Sequence, residues 1–251
     1  MIDIKTPQQI EIMKVGGHML ATTLFKTLEA IKPGMSEAEI DKMAEESILR
    51  LGGKPGFKKV KGYHHTICAS TNNVVVHGIP GPYVLKVGDI IGIDCGVFYK
   101  GFHTDMSETI RVGAQKNEAV DTFLKTGKYA LEEAIKVAKP GNRVGHISKT
   151  IQDIVEGKGY SIVRSLIGHG VGRELHEEPE VPGFLHGSIS RTPELKVGMT
   201  IAIEVIYNMG KPEVEYSGKD DWTIVSADGS LSGVFERTVV ITENGPLMLT
   251  A

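Results

Sequence analysis

The chain repeats itself, weakly but in order, and this limits its possible folds more than any other feature. Ile31-Lys-Pro-Gly-Met-Ser-Glu-Ala-Glu-Ile40 is echoed by Ala138-Lys-Pro-Gly-Asn-Arg-Val-Gly-His-Ile147. Leu85-Lys-Val-Gly-Asp-Ile-Ile-Gly-Ile-Asp94 is echoed by Leu195-Lys-Val-Gly-Met-Thr-Ile-Ala-Ile-Glu204. One Lys-Pro-Gly match is chance, but two echoes at similar separation mark related halves, roughly 1–112 and 113–251 of a single domain spanning 1–251. The second echo sets Asp94 against Glu204, one acid from each half at a strand end.

Each half opens with helices. Thr6-Pro7 offers an N-cap with proline in the first turn, and Ile10, Met13, Gly17, Leu20, Leu24 and Leu28 form an apolar stripe that stops at Pro33-Gly34. Ser36 and Glu39 have capping-box spacing for a second helix running toward Gly52. The second half repeats this over Glu118 to Ala138 and Val144 to Glu156. Strands are expected at Ile67–Ser70, Val74–Val76, a 90–111 hairpin, Val163–Ile167, Thr200–Tyr207, Thr223–Ser226 and Gly233–Ile241. Helix-helix-strands, twice, is an α+β arrangement of antiparallel sheet with helices on one face.

Composition excludes several classes. No apolar run reaches membrane-spanning length, and the N-terminus lacks the basic-then-apolar order of a signal peptide. Cys68 and Cys95 are too few for a disulfide framework, which makes a reducing cytoplasm the expected location. A net charge of −3 exerts no overall pull on nucleic acid or membrane, and the cluster Lys54, Lys58, Lys59, Lys61 is expected to be a solvated loop.

The chemistry starts in the hairpin. A turn centred near Tyr99-Lys100 sets Asp94 roughly opposite Asp105. Opposed carboxylates repel, and burial among isoleucines makes ionising both costly, so a cation is expected between them. A divalent metal fits best, with a shared-proton pair as the lesser alternative. Three further apolar segments carry polar groups: Gly168-His169-Gly170, Ile203-Glu204-Val205 and Phe235-Glu236-Arg237. Singly, such an acid is more often a cap or an arginine partner. Jointly, acids at matching places in both halves and a histidine framed by glycines, where backbone can approach a ligand closely, point to one cationic site. Oxygen-rich donors with one imidazole suit two ions such as Mn, Fe or Co, and no Cys-x-x-Cys spacing supports structural zinc.

Val76-His77-Gly-Ile-Pro80, Ile93-Asp94, Gly101-Phe-His-Thr-Asp105-Met-Ser107, Gly168-His-Gly-Val-Gly-Arg173, Leu175-His-Glu-Glu-Pro179, Ile203-Glu204 and Phe235-Glu236-Arg-Thr238 resemble the ordered motifs of type I methionine aminopeptidases. The resemblance runs from about Lys5 to Met248. It implies the pita-bread (creatinase/aminopeptidase) fold, with two pseudo-symmetric halves and the site between them. By position, Asp94, Asp105, His169, Glu204 and Glu236 would hold two divalent ions (Co, Mn, Fe or Zn). Glu204 would also take a proton from the attacking water, His176 would hydrogen-bond the carbonyl oxygen, and His77 would position the amide or assist the leaving amine. His103 shares a strand face with Asp105 and could support it, whereas His18, His64, His65, His146 and His186 are expected to be solvated or structural.

The resemblance further implies a methionine pocket of Tyr63, Cys68, Trp222 and Phe57, with Leu175 and Ile206 at other lining positions. Three positions depart from the family pattern: Val205 where proline usually follows the glutamate, Lys61 where histidine is common, and Leu175 where an aromatic is more usual. The activity implied is removal of the initiator methionine from nascent chains, at the ribosome, by a cytoplasmic monomer with no nucleic-acid site. Proline-specific peptidases of the same fold are the nearest alternative. They usually carry an extra N-terminal domain, whereas this sequence begins almost directly with its first helix, as in short bacterial-type forms. A non-catalytic peptide-binding module would commonly have lost metal ligands, and a metal-free carboxylate-dyad hydrolase would survive chelation.

Overall fold

The computed structural model describes residues 2–251, and four α-helices occur among them. Helix α1 (Pro7–Ala30) is capped by Thr6 through Gln9, and α2 (Glu37–Arg50) by Ser36 through Glu39, each as a reciprocal capping box. The expected α1 stripe is buried from Met13 to Leu28, with Ile10 half-buried. The second pair is α3 (Glu118–Val137) and α4 (Val144–Gly157).

The strands of the first half are β1 (Lys54–Pro55), β2 (Ile67–Thr71), β3 (Val74–Val76), β4 (Ile90–Tyr99) and β5 (Phe102–Arg111). Those of the second are β6 (Ser161–Ile162), β7 (Gly168–Gly170), β8 (Glu177–Val181), β9 (Thr200–Asn208), β10 (Val214–Tyr216), β11 (Ile224–Ser226), β12 (Ser232–Thr242) and β13 (Gly245–Met248). One sheet runs β1-β4-β5-β12-β9-β7-β8, with β2 on β4, β6 on β9 and β13 on β12, while β10, β11 and β3 form a small separate sheet.

Side-chain alternation separates core from site. Ile91, Ile93, Cys95 and Val97 of β4 pack with Leu20, Leu24, Ile40 and Ile48 of α1 and α2. Ile201, Ile203, Val205 and Tyr207 of β9 pack with Phe123, Leu131, Ile147 and Ile151 of α3 and α4. With period two, Asp94 and Glu204 must then face away from the helices. At the seam between halves, β5 and β12 pair only at Ser107–Glu236 and Met106–Arg237. Threonine hydroxyls stitch either side: Thr109 Oγ1 donates to Val234 O and accepts from its N–H, and Thr238 Oγ1 does the same for Asp105.

Two expectations change. The hairpin turns at Lys100-Gly101, both with positive φ (45° and 92°), because this two-residue turn needs left-handed backbone that Gly101 supplies. Asp94 therefore faces Ser107 and Asp105 faces Gly96, which puts the aspartates on one face but diagonal rather than opposed. The strand expected over Val163–Ile167 does not form. Only the Val163 N–H reaches Ile206 O, at 3.0 Å, and the chain then leaves the sheet so that Leu166 and Ile167 line a cavity.

Candidate metal centre and active site

Two adjacent register rows carry the acidic cluster. The first runs Cys68, Asp94, Ser107, Glu236, Glu204 across β2, β4, β5, β12 and β9. Asp94 and Glu204, paired by the sequence echo, flank its two central strands. In the second row, Asp105 lies beside Thr238, which pairs with Ala202, and Ala202 with His169. Asp105, His169 and Glu236 each place one donor atom within 4.8 Å of the others. His169 Nε2 is 4.0 Å from Asp105 Oδ2.

Neighbouring backbone crowds both glycines that frame His169. A Cβ at Gly168 would lie 2.5 Å from Ala202 O, and one at Gly170 only 2.2 Å from Glu178 O. His169 Nδ1 lies 2.9 Å from Gly170 O, which can only accept, so the proton sits on Nδ1 and the Nε2 lone pair is free to bind metal.

The electrostatics call for a cation. Burial, ahead of any other cause, raises the carboxyl pKa values of Asp94, Asp105, Glu204 and Glu236, and mutual repulsion raises the last three further. Asp94 Oδ1 is buried with no hydrogen-bond partner. Arg237, next to Glu236, points to the opposite face and pairs with Glu108. Among the described residues, no lysine or arginine forms an ion pair with any of the four acids. Carboxylates and one neutral imidazole are donors suited to hard or borderline divalent ions, so the residues present fit metal. His169 is neutral near pH 7, its pKa lowered to about 4 by burial and by His176.

Above this floor is a cavity of about 300 Å³. Its walls include all eleven residues expected in the site: the five candidate ligands, His77, His176, Tyr63, Cys68, Trp222 and Phe57. Leu175 and Ile206 line it too. Phe57 lies over Gly96, where a Cβ would be 2.8 Å from its ring, and Tyr63 meets Trp222 edge-on at 5.1 Å between centroids. The Tyr63 hydroxyl donates to Ile67 O at 2.7 Å and lies 3.2 Å from Cys68 Sγ. His77 holds a left-handed backbone (φ 55°), strained for a side-chain-bearing residue. Its pKa is lowered to about 4, by burial first and then by His176. His176 stands at the rim, its ring 4.4 Å from that of His169, and desolvation lowers its pKa as well.

Val60, Val76, Ser165, Leu166 and Ile167 also line the cavity and were not expected there. The one available signal was the position of Leu166-Ile167 directly before Gly168-His169. His103 is buried, but it lies in an adjoining groove and does not line this cavity. His18, His64 and His186 are exposed, His65 is half-buried near Asp41, and His146 caps α4 by accepting the Arg143 N–H.

An antiparallel sheet backed by two helix pairs, with an acid-and-histidine floor under a side-chain-sized cavity, defines a metal-dependent hydrolase. The profile of metallopeptidase family M24 matches residues 11–243. A methionine aminopeptidase of Clostridium perfringens is 44% identical over 250 residues, covering 100% of this chain and 99% of that protein. The crystal structure of a methionine aminopeptidase from Thermotoga maritima superposes with a TM-score of 0.96 at 41% identity, covering 100% of this chain and 99% of that one. A prolidase from Pyrococcus furiosus gives a TM-score of 0.80 at 26% identity, and 65% of its chain is covered. The chain belongs to metallopeptidase family M24 and has the pita-bread fold. It is a metal-dependent aminopeptidase.

Proposed function

We propose that this enzyme removes the initiator methionine from newly made proteins and peptides. Two divalent ions (Co, Mn, Fe or Zn) would be held by Asp94, Asp105, His169, Glu204 and Glu236. Both halves, 1–112 and 113–251, then supply ligands to one catalytic domain. The convergence of the five acid-and-imidazole donors and the aromatic pocket on one cavity carries this proposal. Four carboxylates without a paired cation, Asp105 and Glu236 buried and Asp94 and Glu204 half-buried, support metal occupancy, and Phe57, Tyr63, Cys68 and Trp222 support a methionine side chain, whose thioether packs well against aromatic edges.

Bound ions would acidify a water and polarise the scissile carbonyl. Glu204 accepts the proton of the attacking water and passes it toward the leaving amine. His176, neutral at the rim, donates an N–H to the carbonyl oxygen as negative charge develops there. His77, also neutral, orients the scissile amide and hydrogen-bonds the departing nitrogen as the proton carried by Glu204 reaches it. The substrate's free amino terminus reaches the acidic floor, which limits removal to one residue. The cellular setting proposed is a cytoplasmic monomer acting on chains leaving the ribosome. The free buried cysteines agree with a reducing compartment, and no helix among the described residues is long and apolar enough to cross a membrane.

The test is cleavage of Met-Ala-Ser, Leu-Ala-Ser and Ala-Pro peptides with Mn, Fe, Co or Zn added, before and after chelation. Metal-dependent release of methionine from the first is expected. Preference for Ala-Pro, or activity that survives chelation, would overturn the proposal.

A further inference from the structure

Three of the lysines expected in a solvated loop, all exposed, also border a groove. Lys58, Lys59 and Lys61 line it together with Arg173 and Glu174, and its volume is about 730 Å³. Val60, Leu175 and His176 border both this groove and the active-site cavity, so the two spaces adjoin at His176.

The charge of the groove is mostly unspent. Lys58 is paired with Glu45 at 2.6 Å. Lys59, Lys61 and Arg173 make no ion pair among the described residues. Two of them are fixed by rings: Lys59 Nζ lies 4.2 Å from the Phe98 centroid and the Arg173 guanidinium 5.0 Å from that of Phe102. Such contacts orient a cation without neutralising it. Phe98 and Phe102 flank the β4–β5 turn, so the hairpin that carries Asp94 and Asp105 also positions the groove's charge.

We infer that this groove binds the peptide that follows the scissile bond and favours acidic side chains there. The inference rests on the peptide-cleaving function proposed above. With the substrate's amino terminus on the acidic floor and the scissile carbonyl near His176, the remaining chain passes that histidine. The opening beside it is cationic although the chain as a whole carries a net charge of −3. Each exposed pairing is worth about two- to five-fold in kcat/KM and weakens with salt.

The test compares Met-Ala-Ser peptides extended by three aspartates or three lysines, with the full-length metal-loaded enzyme. The acidic series is expected to have about ten-fold higher kcat/KM at low salt, and most of that advantage should vanish near about 0.5 M KCl. Arg173→Ala and Lys59→Ala should each narrow the ratio, Lys59→Glu should narrow it further, and Lys136→Ala on α3 should leave it intact. Equal kcat/KM for the two series, or a ratio that neither groove variant moves, would overturn the inference. Single-stranded RNA that binds with loss on Arg173→Ala, together with indifference to peptide charge, would assign the groove to nucleic acid and also overturn it. If no peptide is cleaved, the proposed function fails. The groove is then judged separately, by fluorescence anisotropy of labelled acidic and basic peptides, where equal affinities refute it.

Discussion

Lys5 precedes α1, yet only 1% of its side chain is exposed, and its ammonium meets Glu177 Oε2 at 2.5 Å and Asp3 Oδ2 at 3.2 Å. Gly172 makes room for it, since a Cβ there would come within 2.5 Å of Nζ. The other Glu177 oxygen accepts the Glu174 N–H at 3.1 Å. Lys5 thus anchors Glu177, which in turn holds Glu174, within the 172–177 turn that carries His176. Lys5→Met keeps the apolar stem and deletes the charge, leaving Glu177 buried without its cation. Breaking a buried pair costs about 3–5 kcal/mol. Glu177 keeps one N–H and 13% exposure, which argues for the lower end, about 3 kcal/mol. For a chain of this size that is a Tm loss of roughly 6–12 °C. Thermal and urea unfolding of wild type, Lys5→Met, Glu177→Gln and the double variant should show a coupling above about 1.5 kcal/mol. The kcat of Lys5→Met should fall more than its KM rises, because the turn bearing His176 is loosened. A loss below about 1 kcal/mol, the value of an exposed pair, or strict additivity of the single variants, would refute the reasoning.

In metal-free protein the raised carboxyl pKa values mean that the folded state holds protons the unfolded chain has released, so their stabilising contribution is lost as pH rises. His77 and His169, lowered to about 4, act oppositely, but only up to the ordinary histidine pKa near 6.5. Stability of the metal-free enzyme should therefore fall above about pH 6.5, and loading with Mn should flatten the slope; an equal slope in both forms contradicts this. Asp105→Asn should raise the Tm of metal-free protein above about pH 6.5, by removing a buried carboxyl that resists ionising there, while sharply reducing metal-induced stabilisation, as calorimetry with and without Mn would show. Thr238→Val strips partners from both the N–H and C=O of Asp105 and should cost about 1–3 kcal/mol in urea unfolding. Trp222→Ala opens the aromatic wall and should lower kcat/KM for Met-Ala-Ser by at least about ten-fold, with a smaller change for Leu-Ala-Ser.

Much of this was legible in the chain itself. Capping chemistry at Thr6 and Ser36 is local, so both helix starts could be read. β9 and β12 were legible because one acid interrupts an otherwise apolar run. What escaped depends on partners distant in sequence. The turn moved by one residue because Gly101 tolerates left-handed backbone better than Tyr99 does, and the aspartates became diagonal neighbours. β8 carries too few apolar residues, and β13 is too short and holds a proline, to announce themselves, and both exist because β7 and β12 offer edges. The basic groove could not be foreseen, because it needs Arg173 of the second half beside three lysines of the first.

The acids stay in place despite their mutual repulsion because of the strands that carry them. A one-residue slip of β9 would turn Glu204 into the α3–α4 core and expose Ile201, Ile203, Val205 and Tyr207 to the cavity side. Burying one such side chain is worth about 1.5–3 kcal/mol, so four of them hold the register with roughly 6–12 kcal/mol. Four more on β4 do the same for Asp94. Raised pKa values let the acids escape part of their repulsion as protonated groups, so helix-side burial can outweigh the cost of the site before any ion arrives. Each half supplies such a strand, and the seam sutured by Thr109 and Thr238 brings the two acidic strand faces into one row. The hydrophobic layer thus imposes a geometry that the carboxylates alone would disperse, and a divalent ion is the partner that turns that imposed repulsion into affinity.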